Sequence, residues 1–136
     1  MSPSPSQIRR LVAAARRAGK SSYAPYSKFR VGAAVLTASG KIFAGCNVEN
    51  ASYGLTNCAE RTAVFNAVAG GHRKLVAVAV YTPTPEATAP CGACRQVLNE
   101  FGPNAAVLCV CDSADRIETT LDQLLPRAFG PKDLRS

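Results

Sequence analysis

The sequence predicts an α/β fold in which helices flank a central mixed sheet. Two observations carry this prediction: the order of the predicted elements, αββαβαβα, and two apolar segments, residues 75–81 and 106–111, that show no polar alternation. Continuous apolar strands are typical of sheets covered by helices on both faces. Because 136 residues is the size of an ordinary domain, we expect residues 1–136 to form a single domain.

The first predicted element is an amphipathic helix. Alternating Ser and Pro residues indicate a disordered lead over residues 1–5. Ser6 is then expected to cap a helix over residues 7–17, in which apolar residues recur at helical spacing. Gly19 is expected to end it.

A β-hairpin is predicted next. Apolar residues alternate over residues 29–35, as they do in a strand with one buried face. Ser39 and Gly40 then turn the chain into a second strand over residues 41–48.

The remainder alternates between helices and strands. A helix that begins at Cys58 is expected to stop at the pair Gly70-Gly71. The later predicted elements are a strand over residues 75–81, a helix over 91–101, a strand over 106–111, a fifth strand over 116–119 and a short helix over 121–125.

Composition argues against membrane and nucleic-acid partners. No uncharged apolar run approaches the roughly 18 residues that a membrane span requires, and the N-terminal apolar run is too short for a signal peptide, so a cytoplasmic location is expected. The net charge of +7 suggests nucleic-acid binding. However, five of the basic residues form the solvated face of the first predicted helix: Arg9, Arg10, Arg16, Arg17 and Lys20.

The six cysteines fall into two groups. Without a secretory segment, metal ligation explains Cys58, Cys91 and Cys94 better than disulfide bonds do. The single histidine, His72, is far from them in sequence and is not expected to bind the metal. The other three thiols lie in strand-like apolar segments and are expected to be buried free cysteines: Cys46, Cys109 and Cys111.

The first group of cysteines has the spacing of a catalytic zinc site. Cys91 and Cys94 would share one face of a first helical turn, and Cys58 begins another helix, so two helix N-termini could favour thiolates at one ion. Three thiolates leave one position of a tetrahedral zinc open for water. Glu60, two residues after Cys58, is placed to act as a general base toward that water.

These motifs read C-A-E at residues 58–60 and P-C-G-A-C at 90–94, the pattern of zinc nucleobase deaminases. More specifically, the chain resembles the small homotetrameric cytidine deaminases that act on free nucleosides. This resemblance implies a three-layer α/β/α sandwich with a central mixed five-stranded sheet. It is carried by residues 26–34, 45–54, 58–63, 90–96 and 124–129.

The resemblance also implies the reaction, a step of pyrimidine salvage. Free cytidine and 2′-deoxycytidine would be hydrolysed to uridine and 2′-deoxyuridine plus ammonia. Hydroxide on one zinc ion per subunit would attack C4 of the base, while Glu60 would move protons from the water to the departing amine.

Further site residues follow from the resemblance. Phe29 is expected to form an aromatic wall for the pyrimidine, and the Ala59 N–H is expected to contact the base. Asn47 and Glu49, two apart and so expected on one strand face, would hold the sugar. A Glu49 carboxylate that accepts from the 3′-hydroxyl would select free nucleosides and repel phosphates.

Charge neutralisation points to another residue. Three thiolates and Zn²⁺ sum to −1, which opposes deprotonation of a bound water. Arg61 is expected to offset this charge by donating hydrogen bonds to the thiolate sulfurs. Tyr53 and Phe129 are expected, by resemblance, to complete the pocket of a neighbouring subunit in the tetramer.

Three alternatives remain open at this stage. A deaminase of a cytosine-containing antibiotic such as blasticidin S would share the zinc motif and the size. A polynucleotide-editing deaminase would share the motif, although added aromatic elements for single-strand contact are lacking. In a binding module, the zinc would be structural, with a fourth ligand from Cys46, Cys109, Cys111 or His72.

Overall fold

The computed structural model describes residues 2–134 and contains one five-stranded sheet with strand order β2-β1-β3-β4-β5. The helices are α1 Pro5–Gly19, α2 Ala59–Ala69, α3 Gly92–Phe101 and α4 Leu121–Leu124. The strands are β1 Gly32–Thr37, β2 Ile42–Cys46, β3 Leu75–Tyr81, β4 Ala106–Val110 and β5 Arg116–Thr120. Two short 3₁₀ turns, Tyr53–Leu55 and Pro131–Leu134, were not predicted.

The sheet is mixed, as predicted. β1 pairs antiparallel with both β2 and β3, so the predicted hairpin is present, whereas β3 and β4 are parallel. A parallel pair requires a crossover, which α3 supplies. The weakly patterned fifth strand also forms, antiparallel to β4.

Helices cover both faces of the sheet, which confirms the three-layer prediction. Val78 and Val80 of β3 pack in one core cluster with residues of α2 and α3. Ala77 and Ala79, which alternate with them, pack in a second cluster with α1. Because both faces of β3 are buried, its sequence has no polar alternation.

The first helix begins earlier than predicted. Ser4, rather than Ser6, is the N-cap: its hydroxyl accepts from the Gln7 N–H at 3.2 Å, and the Gln7 side chain accepts from the Ser4 N–H at 2.9 Å. Pro5 fits the first helical position because its φ is already helical. The predicted disordered lead is therefore wrong for Ser4 and Pro5, and Met1 lies outside the described residues.

The first strand begins later than predicted, at Gly32. A Cβ at this glycine would lie 1.9 Å from the Ala15 carbonyl oxygen, so β1 starts where α1 crosses it closely. The preceding residues instead bond to the Asn47 side chain, whose Nδ2 donates to the Phe29 carbonyl at 2.7 Å and whose Oδ1 accepts from the Val31 N–H at 2.9 Å.

Of the three cysteines outside the predicted zinc site, two are buried as predicted. Cys109 and Cys111 are fully buried. Cys46 is only half-buried, contrary to prediction, because it ends β2, which forms an edge of the sheet. No helix in residues 2–134 combines the length and the apolar character that crossing a membrane requires.

Candidate active site

Two helix N-termini bring three thiols together. Cys58 is the N-cap of α2 and Cys91 is the N-cap of α3, and neither side chain makes a capping hydrogen bond. Their sulfurs are therefore available to face one another. Cys94 lies in the first turn of α3, with its Sγ 3.4 Å from that of Cys91. All three Sγ atoms lie within 4.8 Å of one another, which confirms the predicted convergence.

This cluster fits a zinc ion. Bonds of about 2.3 Å in a tetrahedral site would separate the sulfurs by about 3.8 Å, which small side-chain movements can satisfy. Within residues 2–134 no fourth cysteine or histidine joins the group. His72 instead lies 3.1 Å from the Ser39 hydroxyl and packs against Phe43. Three sulfur ligands leave one position open, as in catalytic rather than structural zinc sites.

Arg61 contacts this cluster. Its Nη2 donates to the Cys58 Sγ at 3.2 Å. Its Nε is the one buried side-chain nitrogen or oxygen in the described residues that lacks a hydrogen-bond partner. A guanidinium held against sulfur at this desolvation cost fits a site that carries negative charge.

Hydrogen bonding already favours a thiolate at Cys58. A bond from the Cys94 thiol and another from Arg61 lower the pKa of Cys58 to about 5, although partial burial opposes the shift. The same bond raises the pKa of Cys94, because that thiol is the donor. Metal ions bind thiolates, so the cluster is electrostatically prepared for a cation.

Glu60 is a buried carboxylate beside the thiols. It lies in the first turn of α2 and is only 6% exposed. Burial is the largest cause of a raised pKa for Glu60, which makes the carboxyl a better proton acceptor at neutral pH. Together with Cys58 and Cys91, Glu60 lines a cavity of about 210 Å³.

The walls of this cavity, called here the cysteine cavity, include other predicted residues. Phe29, Asn47 and Ala59 line it, as expected of contacts to a bound base or sugar. Nothing in the sequence singles out the remaining lining residues individually, because they are strand ends and small loop residues whose side chains carry no metal-binding or acid–base chemistry. These are Val31, Thr56, Asn57, Val80, Thr82, Thr88 and Ala89.

Asn47 is an internal support as well as a wall. It is 8% exposed, and its Oδ1 accepts from both the Ser22 hydroxyl and the Val31 N–H. Its Nδ2 donates to the Phe29 carbonyl. Asn47 therefore fixes the segment that carries Phe29.

Glu49 lies in an adjoining cavity of about 370 Å³, so it and Asn47 do not share one surface as expected. Its carboxylate accepts from the Tyr26 N–H at 2.9 Å, from the Ser27 N–H at 3.1 Å and from the Ser27 hydroxyl. The Ser27 hydroxyl bond is the largest cause of a lowered pKa for Glu49. Thr56 borders both cavities, so the carboxylate lies beside the cysteine cavity.

The two aromatic residues expected to serve a neighbour are exposed. Tyr53 is 77% exposed, borders the Glu49 cavity and makes an edge contact with Tyr26 at 6.3 Å between ring centroids. Phe129 is 59% exposed, and its carbonyl accepts from Gln96 of α3 at 2.8 Å. Neither ring lines the cysteine cavity of its own chain.

Comparison with known proteins agrees with this site. The family model described as the cytidine and deoxycytidylate deaminase zinc-binding region matches residues 5–110. A protein from Sporosarcina psychrophila named cytidine deaminase is 47% identical over 128 residues, which is 93% of this chain and 94% of that protein.

Solved structures are similar over nearly the whole chain. The crystal structure of cytidine deaminase from Burkholderia pseudomallei is 52% identical, with a TM-score of 0.85 over 89% of this chain and 98% of that one. That of cytidine deaminase from Mycobacterium tuberculosis is 41% identical, with a TM-score of 0.78 over 90% and 97%. With its three-thiol cluster, buried glutamate and five-stranded sheet, this chain belongs to the cytidine and deoxycytidylate deaminase family.

Proposed function

We propose that this chain hydrolyses free cytidine and 2′-deoxycytidine to uridine and 2′-deoxyuridine, with release of ammonia. The observation that carries the proposal is a buried Glu60 that lines the same cavity as Cys58 and Cys91, two of the three thiols that can hold one metal ion. Zinc held by Cys58, Cys91 and Cys94 would supply a Lewis acid that acidifies water and leaves a coordination position open.

Glu60 moves the protons of the reaction. It accepts a proton from water as the oxygen adds to C4 of the base, and it delivers this proton to N3. The remaining hydroxyl proton then passes through Glu60 to the amine, which leaves as ammonia while the C4 carbonyl forms. The raised pKa of the buried carboxyl suits both roles, because the group must accept and donate near neutral pH.

Other cavity residues orient the nucleoside. Phe29 provides an apolar face for the pyrimidine ring, and Asn47 holds the Phe29 backbone in place. Ala59 is the first residue of α2, where a backbone N–H has no partner within the helix, so this group can donate to the base. Glu49 accepts from the 3′-hydroxyl of the sugar and repels a phosphate there, which selects free nucleosides over nucleotides and polynucleotides.

The active assembly is a homotetramer, and residues 1–136 form a single domain of each subunit. The exposed rings of Tyr53 and Phe129 support this part of the proposal, because they lie outside their own cysteine cavity and are free to complete a neighbour's. One zinc ion serves each subunit. A cytoplasmic location agrees with six cysteines that form no disulfide.

The experiment follows the loss of cytidine's ultraviolet absorbance after the zinc-replete protein is added. We expect conversion by the wild type and a rate on the order of 10² to 10⁴ lower for Glu60→Gln, with unchanged zinc content. Glu100→Gln, an exposed glutamate of α3, is the matched control and is expected to keep the wild-type rate.

Two results would contradict the proposal. A near-normal rate for Glu60→Gln would remove the carboxyl from the mechanism. No conversion by folded, zinc-loaded wild type would reject the nucleoside substrate. A cytosine-containing antibiotic and single-stranded oligonucleotides would then be assayed, before a structural role for the zinc is accepted.

A further inference from the structure

A second cavity, of about 480 Å³, lies on the other side of the segments that form the cysteine cavity. The proposed reaction uses none of its residues. It is called here the basic cavity, and it is lined by Arg16, Gly19, Lys20, Arg30, Tyr81 and Pro83.

The two cavities are built from alternate residues of the same chain segments. Phe29 and Val31 line the cysteine cavity, whereas Arg30 between them lines the basic cavity. Similarly, Val80 and Thr82 line the first, and Tyr81 lines the second. Successive strand residues point to opposite faces, so at the end of β3 the two cavities lie back to back.

Three cations surround the basic cavity. Arg16 and Lys20 are four residues apart, which places them on one side of α1 at its C-terminal end, and Arg30 comes from the segment before β1. None of the three forms an ion pair within residues 2–134. The neighbouring carboxylate, Asp112, accepts a hydrogen bond from the Tyr81 hydroxyl.

Two of these cations are held in place. The Arg16 guanidinium lies 5.3 Å from the centroid of the Tyr81 ring, and its Nη1 donates to the Cys111 carbonyl at 2.9 Å. The Arg16 guanidinium has five N–H donors, and among the described residues only Nη1 makes a hydrogen bond. Arg30 donates to the Lys20 carbonyl at 3.4 Å. Pre-positioned cations lose less entropy when a ligand binds.

Helix stabilisation explains only part of this arrangement. Basic residues in a last helical turn interact favourably with the helix dipole, which accounts for Arg16 and for Arg17. It does not account for Arg30, which belongs to another segment, nor for a cavity between the two.

We propose that the basic cavity binds a small anion with two or more linked phosphate groups. Three cations from two chain segments, none of them in an ion pair among the described residues, match the charge of such an anion, and Arg guanidinium groups bind phosphate oxygens by paired hydrogen bonds. The cavity volume is in the usual range of small-molecule sites. Inorganic oligophosphate and the phosphate chain of a nucleotide share this chemistry.

The test is calorimetric titration of the full-length protein with tripolyphosphate at low salt. We expect saturable binding that weakens roughly threefold to tenfold in Lys20→Ala and in Arg30→Ala, and that 1 M salt abolishes. Arg10→Ala and Lys41→Ala remove exposed cations outside the cavity and are expected to bind as the wild type does. Both cavity side chains are exposed, so these variants should keep the wild-type melting temperature.

A second titration, with uridine triphosphate in the presence of excess uridine, distinguishes inorganic oligophosphate from the phosphate chain of a nucleotide as the ligand. Equal affinity identifies the phosphate chain alone as the ligand, whereas tighter binding of the nucleotide adds contacts to Tyr81 and Pro83. Absent binding of tripolyphosphate, or equal losses in the cavity and control variants, would overturn the proposal. Because binding is measured without turnover, this result is independent of whether cytidine is deaminated.

Discussion

Removing Arg61 tests whether the cluster needs a compensating charge. Three thiolates and a zinc ion carry a net charge of −1, and the Nη2 of Arg61 is 3.2 Å from the Cys58 sulfur. Arg61→Ala removes both the hydrogen bond and the positive charge. Loss of such an outer partner typically costs about 10- to 100-fold in metal affinity, or about 1.4 to 2.8 kcal/mol.

The assay is zinc competition against a chromogenic chelator at fixed pH, followed by cytidine turnover in excess zinc. We expect Arg61→Ala to release zinc at correspondingly lower chelator concentrations and to turn over more slowly even when loaded. Arg61→Lys keeps the charge without the planar fork and should give an intermediate zinc affinity. Arg73→Ala, at an exposed arginine beyond α2, is the matched control.

The outcome that contradicts this reasoning is specific. If Arg61→Ala is folded, with wild-type zinc affinity and wild-type turnover, the guanidinium does not balance the thiolates. Thermal melting of the zinc-free variants distinguishes a local loss of affinity from general destabilisation, because weaker zinc binding lowers the melting temperature only when zinc is present.

Two further predictions concern packing and thiol chemistry. Gly45→Ala would place a Cβ 2.4 Å from the backbone nitrogen of Ala63 in α2, so we expect about 1 to 3 kcal/mol less stability in urea denaturation. Gly54→Ala, with no atom within 4 Å of the new carbon, should change stability by less than about 0.5 kcal/mol, and equal effects would refute the close contact. Burial raises the pKa of Cys109 to about 12, so only about one thiol in 10⁴ is ionised at pH 8. In mass spectrometry of native protein treated with chelator and iodoacetamide, exposed Cys91 should be labelled while Cys109 is not; early labelling of Cys109 would contradict its burial.

Local spacing explains why much of the site was predictable. Cys91 and Cys94 share a helical turn, and Glu60 follows Cys58 by two residues, so their proximity depends on helix geometry alone. The continuous apolar run of β3 likewise required burial on both faces, and the structure has helices there. The predicted start of the first helix was wrong, because the alternating Ser and Pro residues around Ser4 obscured its capping box.

The expected pairing of Asn47 with Glu49 shows where periodicity stops being informative. Two residues two apart share a face only while the strand continues. β2 ends at Cys46, after which Val48 forms single bridges to Tyr23 and Asn57. The Glu49 carboxylate consequently bonds to the loop at Ser27, beside the cysteine cavity rather than within it.

The sequence by itself predicted the three candidate metal-binding thiols, the proposed general base Glu60 and the succession of strands and helices along the chain, because each was indicated by residues a few positions away. Only the tertiary structure decided what meets across long sequence separations. Packing of α2 and α3 on one face of the sheet brings Cys58 to Cys91, and packing of α1 on the other face brings Lys20 to Arg30. Such contacts depend on how whole faces of elements pack, which no local pattern specifies.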